Sequence, residues 1–127
     1  MTLRVRQRTR AYKRGQHAET IAAWWLRAKG FRILATRWRC PRGEVDLIAR
    51  RRRLVIFVEV KARRNSQDAA TAITPRQQTR IAAAAEAYTA RAHFMHNNPE
   101  AWRLRFDALL ISPRRLPRHI RDAWRID

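Results

Sequence analysis

The sequence predicts an α/β (α+β) domain in which helices flank a central mixed β-sheet. Two segments, residues 15–30 and 74–95, carry apolar residues at helical spacing. Four others are apolar, or alternate between apolar and polar residues as strands do: residues 31–38, 44–50, 54–62 and 102–111. The predicted order is therefore helix, three strands, helix, strand and a short tail, and a chain of 127 residues has room for one such core.

The first helix is expected between Gly15 and Gly30, because Ala18, Ala22 and Leu26 recur at helical spacing. Gly30 suits the end of this helix, since glycine readily adopts the left-handed conformation that terminates many helices. The next segment, residues 31–38, alternates between apolar and basic or polar side chains. We expect it to form a strand with one face partly exposed.

A hairpin is expected next, because two β-rich runs, residues 44–50 and 54–62, are joined by a short arginine-only tip. The second helix is predicted to begin at Thr74 and Pro75, which suit the N-cap and the first helical position. It should end before His96, and residues 102–111 form the last strand. A short helix is predicted around Arg118 to Trp124 in the tail.

The charge balance indicates a polyanionic partner. The chain has 29 Lys and Arg against 10 Asp and Glu, a formal net charge of +19. Nucleic acid and an anionic membrane surface would both satisfy such a charge. No segment approaches the run of about 20 apolar residues that spans a bilayer, and residues 1–14 do not resemble a secretory signal, so a cytoplasmic location without membrane attachment is expected.

Composition also suggests the domain limits. Residues 1–14 are basic and lack an apolar period, so we expect a disordered arm followed by a single domain over residues 15–112 and a tail over residues 113–127. The single cysteine, Cys40, has no partner for an internal disulfide, and the four histidines show no convincing ligand pair. A structural zinc site is therefore not expected.

The strongest chemical signal consists of acidic side chains inside apolar strands. Glu59 and Lys61 share one strand face, and Asp46 lies on the preceding strand. If the hairpin turn centres between Arg52 and Arg53, Asp46 and Glu59 face each other with their Cβ atoms about 5 Å apart. Two carboxylates so close on an apolar sheet repel each other unless a cation lies between them, and Mg²⁺ or Mn²⁺, with the Val60 carbonyl as a further ligand, fits that requirement.

A simpler interpretation is that Asp46, Glu59 and Lys61 form ion pairs with arginines on an exposed sheet face. The segment from Val55 to Val60 is so apolar that its strand is predicted to be central, which disfavours solvated pairs. The same ambiguity applies to Glu44, which either approaches the site or caps its rim through an ion pair with Arg42. Asp107 is expected to pair with Arg105 or a backbone group, and the alternative is that it is a remote member of the site.

Five motifs resemble the YraN-like family of poorly characterised bacterial proteins, which belongs with the restriction-endonuclease-like, or PD-(D/E)XK, nucleases. They are Gly15 with Ala18-Glu19, Lys29-Gly30-Phe31, Gly43-Glu44-Val45-Asp46-Leu47-Ile48-Ala49, Phe57-Val58-Glu59-Val60-Lys61 and Arg105-Phe106-Asp107. The resemblance implies a restriction-endonuclease-like core. It also implies that Asp46 and Glu59 bind metal and that Lys61 is the catalytic lysine.

The resemblance leaves Glu19 open, as an accessory catalytic acid on the first helix or a surface carboxylate. Three features depart from the family pattern. The hairpin tip is Arg50–Arg53 instead of an Asp-Gly-like turn, the segment after Lys61 lacks Phe-Gly, and Gln77 stands where a lysine is usual. The acids and the lysine are intact.

Ten arginines are predicted to contact nucleic acid through its phosphates: Arg14, Arg37, Arg39, Arg42, Arg51, Arg52, Arg63, Arg64, Arg76 and Arg80. Of the tryptophans beside basic residues, Trp24, Trp25 and Trp38 are expected mostly in the core, with Trp38 the best candidate for an exposed exception.

Three functions compete at this stage. The first is a Mg²⁺-dependent endonuclease that acts on DNA, including branched substrates of repair or recombination. The second is a non-catalytic nucleic-acid-binding module of the same fold. The third, a structural or ribosome-associated basic protein, would not need acids and a lysine aligned on an apolar strand. A homodimer is compatible with the first function, but the sequence shows no interface for it.

Overall fold

The computed structural model describes residues 17–63 and 73–125. Helix α1 covers residues 17–28, and strands β1, β2 and β3 follow it. The remaining elements in chain order are β1 (Arg32–Cys40), β2 (Gly43–Arg51), β3 (Leu54–Ala62), α2 (Pro75–Arg91), the 3₁₀ turns His93–Met95 and Pro99–Ala101, β4 (Arg103–Ile111) and β5 (Arg118–Ile120). The predicted basic arm, residues 1–14, lies outside the described residues.

The five strands form one mixed sheet in the order β1-β2-β3-β4-β5. Neighbouring strands are antiparallel except β3 and β4, which run parallel and are joined through α2. A parallel pair needs such a crossover because the chain must return to the starting edge of the sheet. The predicted α+β class with a mixed sheet is confirmed, and the architecture is consistent with a restriction-endonuclease-like core.

Strand β3 is buried on both faces of the sheet. Val55, Ile56, Phe57 and Val58 are all fully buried. Phe57 packs in the cluster on the α2 side, which includes Ile81, whereas Ile56 and Val58 pack in the cluster on the α1 side. A strand covered by helices on both faces is apolar throughout, which explains the unbroken run that marked this segment in the sequence.

The ends of the helices follow from local chemistry. Gly30 has φ of +89° and ends α1, as predicted. Thr74 caps α2: its side chain accepts a hydrogen bond from the Gln77 N–H, and the Gln77 side chain accepts one from the Thr74 N–H. Gln77 thus has a structural role at the position where the resembling family usually has a lysine.

The tail contradicts one prediction. The short helix expected around Arg118 to Trp124 is absent, and Arg118–Ile120 instead forms β5, which pairs with β4. Trp124 is buried and its ring stacks on Phe106. The local pattern was ambiguous, and the open hydrogen-bonding edge of β4 decides the outcome, because its backbone groups gain partners only from a strand.

Candidate metal and nucleic-acid site

The hairpin register brings the two predicted acids together. Strands β2 and β3 pair from Arg51 opposite Leu54 to Leu47 opposite Val58, around a turn at residues 52–53. Asp46 and Glu59 are the next residues beyond the last pair of this ladder, and their carboxyl groups lie close enough to interact. At that point the Asp46 Oδ2 atom accepts a hydrogen bond from the Val60 N–H at 2.8 Å.

The two carboxyl groups strongly influence each other. Burial, the Glu59 carboxylate and, less strongly, Glu19 raise the pKa of Asp46 to about 7, although the Val60 N–H stabilises the charged form. Burial also raises the pKa of Glu59, although Lys61 opposes that effect. The site therefore holds more negative charge than its surroundings stabilise, which is the electrostatic condition that a divalent cation relieves.

Lys61 lies beside Glu59, as the strand alternation predicted. Its Nζ atom is 3.2 Å from Glu59 Oε1, and the two side chains are only 15% and 13% exposed. Because β3 is covered on both faces, this pair is not the solvated ion pair of an exposed sheet. The ammonium group is fixed next to the acids at the carboxyl end of β3.

Glu19 lies on α1 within electrostatic range of Asp46, whose pKa it raises. Its Oε2 atom is 2.6 Å from the Nε atom of Arg37, and its side chain is 20% exposed. Arg37 belongs to β1 and has φ of +49°. Glu19 is thus a partly buried, ion-paired carboxylate beside the site, and this contact alone leaves both of its predicted roles open.

The oxygens available to a metal ion are few. Within residues 17–63 and 73–125, no three His, Cys, Asp or Glu side chains are grouped as a metal site. The Val60 N–H points toward Asp46, and the N–H and C=O groups of one strand residue point to the same side. The Val60 carbonyl is therefore directed toward β2, so Asp46, Glu59 and this carbonyl form a donor set of the kind Mg²⁺ takes, with water completing its shell.

Glu44 lies at the exposed rim. The predicted partner was Arg42, but the structure pairs Glu44 with Arg39 at 3.4 Å and with Arg80 at 4.0 Å. Arg80 approaches because the α2 backbone passes directly over Gly43, where a Cβ atom would lie 1.8 Å from the Arg80 carbonyl oxygen. Gly43 therefore fixes the distance between β2 and α2.

The predicted nucleic-acid contacts divide into three groups. Arg37 pairs with Glu19, and Arg39 and Arg80 pair with Glu44 at the rim of the site. Arg63 lies two residues after Lys61, and Arg42 and Arg76 are exposed on the neighbouring turn and on α2. Arg51 and Arg52 lie at the other end of the hairpin, since Arg51 is five residues beyond Asp46 along β2, a distance of about 17 Å. Arg14 and Arg64 lie outside the described residues.

Arg51 and Arg52 therefore lie away from Asp46 and Glu59, and their predicted contact with nucleic acid stays a prediction. Strand length alone separates them, and Arg51 is held locally, where its guanidinium lies 4.4 Å from the centre of the Phe31 ring and donates to the Lys29 carbonyl. The exposed tryptophan is Trp24, 66% exposed on α1, and not Trp38, which contacts the Tyr88 ring. Cys40 is half-buried.

Sequence reasoning missed the buried network around Asp107. Asp107 pairs with Arg105, as predicted, and also with His119 Nε2 at 2.7 Å and the Asp122 N–H at 3.0 Å. Burial would raise the pKa of Asp107, but the bonds from His119, Arg105 and Asp122 lower it to about 2. No local signal identified His119, because its contact depends on β5 joining the sheet.

Within the described residues, no helix has the length and apolar character required to cross a membrane.

The chain matches the model of "Uncharacterised protein family UPF0102" over residues 18–111. It belongs to this family. It is 55% identical over 118 residues to a UPF0102 protein of Bradyrhizobium diazoefficiens, covering 93% of this chain and 86% of that protein. It is 53% identical over 117 residues to a UPF0102 protein of Nitrobacter winogradskyi, covering 92% and 96%. The predicted YraN-like membership is confirmed.

Proposed function

We propose that the protein is a Mg²⁺-dependent endonuclease that hydrolyses phosphodiester bonds in DNA, including branched substrates of repair or recombination. The observation that carries this proposal is the juxtaposition of Asp46 and Glu59 at the end of the β2–β3 pairing, with the Lys61 ammonium 3.2 Å from Glu59. A bacterial DNA substrate would place the protein in the cytoplasm.

The buried acids support the metal requirement. Folding brings two carboxylates, and a third on α1, into one place with Lys61 and Arg37 as the nearby cations. Such an arrangement costs stability and is typical of functional sites. Asp46, Glu59 and the Val60 carbonyl would hold Mg²⁺ or Mn²⁺, which supplies Lewis-acid stabilisation of the phosphate when bound.

Lys61 would act directly on the substrate. Its ammonium group is fixed by Glu59, so it can hold an attacking water and offset the negative charge that develops on the phosphate oxygens as the bond to the leaving oxygen breaks. Glu19, if it contributes, would position Arg37 beside the substrate strand or add a carboxylate next to Asp46. These roles require only that the phosphate reaches the carboxyl end of β3.

The arginines around the acids would hold the backbone of the nucleic acid. Arg76 and Arg80 lie one turn apart on α2, and Arg63 continues β3 beyond Lys61. Contacts to phosphate carry little base preference and weaken steeply with salt. The net charge of +19 supports the same partner.

A non-catalytic nucleic-acid-binding module of the same fold is the second candidate. It is favoured by the absence of a three-ligand His, Cys, Asp or Glu group from the described part of the chain and by Gln77, which caps α2 where the family pattern has a lysine. The two candidates share the basic surface and differ only in whether the acids bind a metal ion and Lys61 meets a phosphate.

The deciding experiment is Mg²⁺ and Mn²⁺ binding by calorimetry together with cleavage of single-stranded, duplex and branched DNA. The native protein is compared with Glu59→Gln and with the matched control Glu100→Gln, which changes an exposed glutamate in the Pro99–Ala101 turn. We expect metal binding and cleavage in the native and control proteins and neither in Glu59→Gln. If all three proteins retain DNA but none binds metal or cuts, the binding-module function replaces the nuclease.

A further inference from the structure

A cavity of about 600 Å³ opens at the carboxyl ends of the parallel strands β3 and β4. Arg63 follows β3, Ile111 ends β4, and Ile21 on α1 closes one side. The volume lies within the range of cavities that hold small organic ligands. The edge where parallel strands end is also a common place for ligands to bind, so this cavity is well placed for one.

The lining combines an apolar body with a cationic rim. Ile21, Ile111 and Pro113 contribute apolar surface, and Arg63, Arg114 and Arg115 contribute guanidinium groups. None of these three arginines forms an ion pair with an acid in the part of the chain that the structure describes. Apolar walls with unpaired cations at the mouth match a ligand that has a flat apolar part and a phosphate.

Ser112 adds a polar group to the cavity. The residue is only 8% exposed, it lines the cavity, and its hydroxyl makes no hydrogen bond to another described residue. The hydroxyl can donate to or accept from the polar edge of a bound base.

The turn that presents the arginines is strained. The Arg115 N–H donates to the Ser112 carbonyl at 3.4 Å, Pro113 occupies the second position, and Arg114 at the third has φ of +59°. This pattern is that of a type II turn, which favours glycine at the third position. An arginine there is less favourable for folding than a glycine, which is typical of a side chain kept for binding.

The cavity adjoins the acids along two elements. Arg63 lies four residues beyond Glu59, about 13 Å along the direction of β3. Helix α1 carries Glu19, which acts on Asp46, and Ile21, which lines the cavity. A DNA strand with one phosphate at Lys61 would therefore present a neighbouring nucleotide to the cavity.

We propose that this cavity binds an unpaired nucleotide adjacent to the cleaved bond, so that the substrate class is DNA with a single-stranded overhang or flap. The inference rests on the proposed function, since the acids define the cleaved bond. A base within a duplex stays stacked and paired and cannot enter a cavity, whereas an unpaired base enters at little cost. The base occupies the apolar body and its phosphate meets Arg114 and Arg115.

The test measures binding by fluorescence anisotropy in EDTA, so that no cleavage occurs. The probes are a blunt duplex, the same duplex with an oligothymidylate overhang, and an overhang built from abasic spacers. The cavity variant is Arg114→Gly with Arg115→Ala, in which glycine suits the positive φ and the fold is preserved. The control, Arg103→Ala with Arg125→Ala, removes the same charge at the amino end of β4 and in the chain after β5.

We expect the native protein to prefer the thymidylate overhang over both other probes. The cavity variant should lose roughly tenfold in affinity for that probe. The slope of its logarithmic salt dependence should fall by about 1.4 for two lost phosphate contacts. Equal losses in the cavity variant and the control on all probes would overturn the proposal.

A membrane surface is the competing occupant, so binding to vesicles containing phosphatidylglycerol is measured in parallel. If the cavity variant loses vesicle binding and keeps the overhang preference, the cavity is a lipid site and the proposal fails. If the preference depends on the cavity but no DNA is cut when Mg²⁺ is added, the nuclease proposal fails and the nucleotide site stands.

Discussion

Asp107→Asn removes the negative charge of a fully buried carboxylate without changing the shape of the side chain. Lys29 Nζ lies 3.0 Å from His119 Nδ1, and since an ammonium group only donates, Nδ1 accepts and Nε2 carries the hydrogen directed at Asp107. The asparagine places an amide that both donates and accepts where Arg105, His119 and the Asp122 N–H all donate. At least one of these donors loses its acceptor.

The magnitude follows from the pKa of Asp107, which the network lowers from 3.8 to about 2. One pKa unit corresponds to about 1.4 kcal/mol, so the network stabilises the folded protein by about 2 kcal/mol through this charge. Because the folded pKa is depressed, this stability is present above about pH 4 and is lost as the pH falls toward 2. Unpaired donors add to the loss, and we expect Asp107→Asn to cost about 2 to 4 kcal/mol at pH 6.

The assay is urea unfolding followed by tryptophan fluorescence, for which the buried Trp124 ring stacked on Phe106 is a local probe. The free energy of unfolding is compared between native and Asp107→Asn proteins from pH 6 to pH 2. The control, Asp122→Asn, makes the same change in an exposed pair with Arg125 and should cost much less than Asp107→Asn. If the native–variant difference stays constant over this pH range, or is no larger than that of the control, the Asp107 charge does not stabilise the fold as argued.

Three further predictions test the site and the elements that position it. Asp46→Asn should raise the free energy of unfolding in EDTA at pH 8 by on the order of 2 kcal/mol, because it removes a buried repelling charge. Added Mg²⁺ should raise the thermal unfolding temperature of the native protein but not that of the variant. Gly43→Ala should lower the free energy of unfolding, measured with denaturant, by roughly 3 kcal/mol or more, because its Cβ atom meets the Arg80 carbonyl. Gly30→Ala, which has space for a Cβ atom but a positive φ, should lower it by about 1 kcal/mol. Similar costs for the two variants would refute this distinction. Thr74→Ala should cost about 1 kcal/mol through the lost helix cap, and an unchanged unfolding midpoint would argue against it.

The elements with strong local signals were predicted well. The Thr74–Pro75 start of α2, the Gly30 end of α1 and the turn at residues 52–53 each depend on neighbouring residues alone. The turn position then fixed the hairpin register, and with it the approach of Asp46 to Glu59. Arg118–Ile120 carried no such signal, and it formed a strand because β4 offered an unpaired edge.

The sequence by itself determined the α+β class, the central position of β3 and the three residues of the proposed site, Asp46, Glu59 and Lys61. Local periodicity, turn chemistry and the resemblance were sufficient for these. Only the tertiary structure decided which arginines lie near the acids, that His119 binds Asp107, and that Arg114 and Arg115 line a cavity beside the site. Such contacts join residues far apart in the chain, and their distances are set by how α1, α2 and β5 pack on the sheet.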